Sequence, residues 1–161
     1  MAFFQNKTEL FLRADDQAYL VILPTGDEDD NRLDDFYRHS IQMNREDNSQ
    51  FWANRICGRT FEKPCKFCED KVRVQHRFGF WTYVLYIGHA LKDSSRSGSD
   101  SWEAIKTKTG SVVFREVIND FKLFSQGFGP KDALWNQIVE IHSEYGSLNK
   151  YIVRIKRTGS Q

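Results

Sequence analysis

The residues with the clearest chemistry lie between His39 and Cys68, in H-S-I-Q-M-N-R-E-D-N-S-Q-F-W-A-N-R-I-C-G-R-T-F-E-K-P-C-K-F-C. All three cysteines of the chain, Cys57, Cys65 and Cys68, are here, spaced His-x17-Cys-x7-Cys-x2-Cys. Cys65 and Cys68 form a C-x-x-C knuckle, the short turn that lets two thiolates bind one ion. Cys57 and His39 complete a Cys3His tetrahedron, a closed donor set. One zinc ion held that way leaves no position for water, so it stabilises a fold and performs no reaction. His76, with seven residues between it and Cys68, is the alternative fourth ligand.

Other uses of these residues are weaker. A redox C-x-x-C needs a βαβ setting that the surrounding pattern does not supply. A disulfide framework is at odds with an odd cysteine count and no secretory leader. Unrelated free thiols are the remaining alternative. Pro64-Cys65-Lys66-Phe67-Cys68 matches half of a zinc-deaminase signature, but H-x-E must stand upstream of it. His39 is followed by Ser-Ile and Cys57 by Gly-Arg, and His142-Ser143-Glu144 lies downstream, in the wrong order. With no paired acid and base and no phosphate-cradling glycine loop, an enzyme is not expected.

The chain that must position these residues has 161 of them, 40% hydrophobic and 14% aromatic, enough for one domain with a core. Its net charge of +1 is unevenly spread. Six acids between 27 and 35 face only Arg32, a local net of −5, which leaves +6 for the rest. That acidic run is expected to be a solvated loop that repels phosphates. No apolar run approaches the roughly 18 residues of a membrane span, and the expected compartment is reducing cytoplasm.

Glu9 to Arg13, Gln17 to Leu23, Asp35 to Met43 and Phe51 to Ile56 read as strands, with a polar hairpin loop from Asn44 to Gln50. Residues 69–77 fit a short helix or a basic ribbon. Phe78 to Leu91 is the strongest strand. Simple alternation puts Trp81, Tyr83, Leu85, Ile87 and Leu91 on one face and Phe80, Thr82, Val84 and Tyr86 on the other. After the loop Lys92 to Ser101, Trp102 to Lys108 reads as a returning strand. Two late helices are expected: Ser111 to Gly127 on the spacing of Phe114, Val117, Ile118, Phe121 and Phe124, and Pro130 to Gly146 with Leu134, Ile138, Ile141 and Tyr145 inward. Lys150 to Arg157 closes as a basic strand.

Strands first, a knuckle between them and helices late suggest a mainly β (α+β) OB-type Greek-key barrel over 1–161, with a zinc subdomain at about 36–77. Three features carry a resemblance: the spacing ending in C-x-x-C, the Y-L-V-I-L-P strand with the aromatic strand after the knuckle, and the closing Y-I-V-R-I-K-R-T-G. The chain resembles the phage single-stranded DNA-binding proteins, the helix-destabilising family known best from T-even phages. The resemblance implies a zinc-containing OB fold that coats and protects single strands in replication, recombination or repair. It also implies a host-cytoplasm location and replication or recombination proteins as partners. Two features depart from it. Val21-Ile22-Leu23-Pro24 lacks the arginine usual in that strand, and the sequence stops at Gly159-Ser160-Gln161, where the family continues to an acidic tail, either trimmed or lacking here.

The residues support this independently. Single strands bind cationic grooves lined with rings on which bases stack. Backbone contacts are expected from Arg55, Arg59, Lys66, Arg73, Lys106, Arg154 and Lys156, and stacking from Phe80, Trp81, Tyr83 and Tyr86. A domain of this size cannot bury every ring it carries. The competing expectation is a zinc-knuckled module that docks on a polymerase or nuclease and touches no DNA.

Overall fold

The computed structural model describes residues 9–23, 34–127 and 134–158. The expectations for the acidic run before Asp34, for Pro130 and for the end of the R-T-G close lie outside them. Seven strands form one antiparallel sheet. They are β1 (Gln17–Ile22), β2 (Asp34–Asn44), β3 (Gln50–Ile56), β4 (Val74–His89), β5 (Glu103–Lys106), β6 (Val112–Gly127) and β7 (Val153–Lys156). A one-turn helix α1 (Lys66–Glu69) interrupts them early and α2 (Leu134–Tyr145) late. The architecture is therefore mostly antiparallel β with few helices, as the strand-rich sequence implies.

Strand β4 is the spine. One edge pairs with β2 from Val74 to Gly79 and with β1 from Thr82 to Gly88, while β6 runs along the other edge from Arg77 to His89. Beyond these, β3 extends β2, β7 extends β1 and β5 extends β6. Glu9 to Arg13 is not a full strand: only Glu9 bridges to Leu123 of β6, parallel, with Leu10 N–H donating to Leu123 O at 2.8 Å. Residues 69–77 divide between the end of α1 and the start of β4.

The segment Ser111 to Gly127 is a strand, β6, and not the first of two late helices. Its apolar residues fall on both faces: Phe124 is buried, Ile118 packs on the core, and Val117 and Phe121 are exposed. A two-faced strand, kinked at Asn119 where φ is 45°, mimics helical spacing. Its β-branched and aromatic content favours the strand. The second helix forms, and Gly146 at φ 76° stops it by donating its N–H to the His142 carbonyl. Its inward residues are Leu134, Trp135 and Ile138, whereas Ile141 and Tyr145 are exposed.

Alternation along β4 breaks once. Tyr19 pairs with Tyr86 and Leu20 with Val84, so Leu85 is the extra residue of a β-bulge. Phe78, Phe80, Thr82 and Val84 point inward before it, and Ile87 and His89 after it. The core they join takes Ala18, Leu20 and Ile22 from β1, Phe124, Ile138 and Ile155. Buried His89 lies between Asp16 (Nδ1 to Oδ2, 3.1 Å) and Glu116 (Nε2 to Oε2, 2.6 Å), with its ring stacked on Trp102 at 4.1 Å.

Candidate functional site

The candidate metal centre is assembled from two directions. The β2–β3 hairpin supplies His39, paired with Arg55, and Cys57, whose N–H donates to Tyr37 O at 2.8 Å. Cys65 and Cys68 come from the start of α1. The four ligand atoms lie within 4.8 Å of one another, a group that could hold one metal ion. His39 Nε2 is 3.4 Å from Cys65 Sγ and 3.5 Å from Cys68 Sγ, and Cys57 Sγ is 3.4 Å from Cys68 Sγ. A disulfide needs about 2.05 Å, whereas zinc–sulfur bonds of about 2.3 Å set tetrahedral edges of about 3.8 Å. The separations suit four donors around one metal ion and not a disulfide.

The surroundings orient the ligands. His39 is fully buried, and its Nδ1 faces the Arg73 carbonyl at 3.1 Å. With Nδ1–H donating there, Nε2 is turned to the sulfurs, the usual outer-shell arrangement of a ligating histidine. Burial opposes ionisation of Cys65, but the N–H groups of Gly58 and Cys68, with Cys57 and His39, pull the thiol down to about 6. Cys68 is pushed up to about 11 by its bond to Cys57, by burial and by Cys65. A dication among the three sulfurs resolves that conflict, because all can then ligate as thiolates. His76 is not in the group; its ring stacks on Tyr37 at 4.5 Å.

Gly58 is a residue whose role the sequence does not announce. A Cβ there would lie 2.5 Å from Pro64 O and 2.8 Å from Lys63 O, so the two ligand-bearing loops close only over a glycine. Lys63 N–H donates to Gly58 O at 3.0 Å across the same contact.

A second constellation lies on the outward face of the sheet. Ladder partners share a face, so the pairs Tyr19–Tyr86, Tyr83–Phe121, Val21–Tyr83 and Tyr19–Arg154 place these side chains together. Tyr19 and Tyr86 stack at 4.4 Å and 19°, and Tyr83 meets Phe121 edge-on at 5.2 Å. Trp81 is 43% exposed and Phe121 56%. The bulge is what brings Tyr86 round to join Trp81 and Tyr83, against the simple alternation expected. Phe80, 2% exposed and 5.2 Å from the Phe124 ring, belongs to the core and has no face to offer a base.

The expected cations scatter more widely. Arg154 lies opposite Tyr19, and Lys156 stands two residues on, lining a cleft. Arg59 covers the Tyr37 ring at 4.6 Å, and Lys66 and Arg73 are exposed beside the metal ligands. Arg55 pairs with His39 and reaches Met43 Sδ. Lys106, on β5, stands at the opposite end of the sheet from Arg154. Tyr19 and Phe121 are not among the residues expected from the sequence. Alternation in Q-A-Y-L-V-I is the available signal for Tyr19, whereas helical spacing hides Phe121.

No family model, no curated protein and no solved structure matches the chain. Function has to be argued from these side chains.

Proposed function

We propose that the chain is a sequence-tolerant single-stranded DNA-binding protein: an OB-type sheet whose outward face stacks bases, braced by structural zinc on His39, Cys57, Cys65 and Cys68. The observation that carries this is the shared face of Tyr19, Trp81, Tyr83, Tyr86 and Phe121 with Arg154 beside them. Trp81 and Phe121 are exposed and the three tyrosines half-buried on this outward face; such rings suit a flat π-partner, and a neighbouring guanidinium suits the phosphate between two bases. Each stacked base contributes about 1–3 kcal/mol, and every base offers a π-face, hence the tolerance of sequence. The metal, when bound, supplies only cross-linking of the hairpin to α1, since four protein ligands close its sphere.

Titration of zinc-loaded protein with oligo-dT tests this. Tryptophan fluorescence should be quenched and recover with salt, with a log-log salt slope near −0.7 per phosphate contacted. Absence of both quenching and a mobility shift at low salt would overturn DNA binding and favour the docking module.

A further inference from the structure

Away from the rings, a cleft of about 860 Å³ opens where β6 and β7 end, and Arg38, Arg77, Lys156 and Arg157 line it. Its one lining carboxylate among the described residues is Glu9. Glu9 Oε1 lies 3.6 Å from Arg38 Nη1 and accepts a bond from Ser125 Oγ at 2.9 Å. Arg77 Nη2 donates to Ser125 O at 2.8 Å, while its Nε is buried and meets no acceptor among the described residues. Burial pulls both guanidinium pKa values down, and for Arg77 the neighbouring charge of Arg38 adds to it. Glu9 thus pairs with Arg38 and acts on Arg77 only through space, and one Arg77 donor is left over. Such an arrangement has room for a further anion.

We propose that Arg38 and Arg77 form a phosphate subsite for single-stranded DNA, in which Glu9 stands in the phosphate's place until a strand enters. The subsite rests on the single-strand reading and deepens it. Arg77, Gly79, Trp81 and Tyr83 alternate on one face of β4, so a bound strand runs from the guanidinium pair onto the rings over about 20 Å. A phosphate accepts from two guanidinium groups at once and reaches Arg77 Nε, which the Glu9 carboxylate does not. Lys156 and Arg157 on the same cleft favour a polyanion over a single carboxylate. Glu9 acts as an internal competitor, setting a threshold that non-phosphate anions do not pass.

The test follows the Arg77 Nε–H resonance in isotope-labelled, zinc-loaded protein titrated separately with oligo-dT, inorganic phosphate and a poly-glutamate peptide. Oligo-dT and phosphate should each shift it. Glu9→Gln should tighten oligo-dT binding about twofold to fivefold, at least the range that a charge pair contributes at the surface. Arg77→Gln should reduce the salt slope by about 0.7. Oligo-dT that quenches tryptophan yet leaves Arg77 Nε–H and the Glu9→Gln affinity unchanged overturns the subsite and spares DNA binding. A phosphate-induced shift without oligo-dT binding keeps the phosphate site and discards the single-strand role. A response to poly-glutamate alone overturns the phosphate assignment in favour of an acidic protein partner. Should Arg77→Gln fail to fold, the wild-type resonance and Glu9→Gln still decide.

Discussion

The metal end and the ring-bearing face share β4, yet different kinds of order place their side chains. At the candidate metal end, coordination chemistry would select residue types and spacings, and four side chains from three segments that could hold one ion meet within 4.8 Å. On the sheet, position depends on ladder register, and one extra residue at Leu85 decides which rings stand together. The first kind of order is written in residue identity. The second is written in backbone geometry that no single residue announces.

Breaking the metal end should have the largest effect. A structural zinc contributes about 10–16 kcal/mol of apparent binding energy in small domains. Cys57→Ser is expected to lose stoichiometric metal, read by elemental analysis, and to loosen residues 36–77 while the β4–β6 ladder holds. Gly58→Ala should weaken the metal through the 2.5 Å clash with Pro64 O, although no ligand is altered. Full metal in Cys57→Ser, or its loss in His76→Ala alone, would reassign the ligands.

The next largest effect separates the two faces of β4. Phe80→Ala should cost about 3–5 kcal/mol in denaturant unfolding, as for a buried ring. Trp81→Ala should leave stability nearly unchanged and weaken oligo-dT binding by about 1–3 kcal/mol. Equal unfolding costs at both positions would place Trp81 in the core and remove the platform.

The gathering of His39, Cys57, Cys65 and Cys68 into a group that could hold one metal ion is therefore legible from residue type and spacing, as are β1 to β5, β7 and the second helix. The face assignment is legible only as far as Val84. Simple alternation puts Tyr86 on the wrong side because a bulge leaves no mark in a run of apolar residues. β6 reads as a helix because Phe114, Ile118 and Phe121 on a two-faced strand fall at helical intervals. Arg77 is legible as the last cation of the basic run from Arg55, but its pairing with Arg38 is not, because Glu9 between them is distant in the chain and is held by Ser125 of β6.

The smallest predicted effect concerns the buried histidine near the far end of β4. The bond from His89 holds the Glu116 carboxyl below the usual carboxylate range, against partial burial and with help from Arg96. A depressed folded-state value means the stabilisation is complete above the unfolded pKa of about 4.3 and is lost as pH falls through the folded one. Glu116→Gln should cost about 1.5–3 kcal/mol at neutral pH and flatten the acid limb of the stability profile. An unchanged acid limb would show that Asp16 alone holds His89.

One consequence of β4's change of partner belongs to kinetics. Between Gly79, last to pair with β2, and Thr82, first to pair with β1, the continuous neighbour on its other edge is β6. Opening either outer ladder alone leaves β4 clasped to β6, so amide protons of β2 and of β1 should exchange with solvent in two separately timed groups. Those bonded between β4 and β6 should exchange last, at the rate of global unfolding.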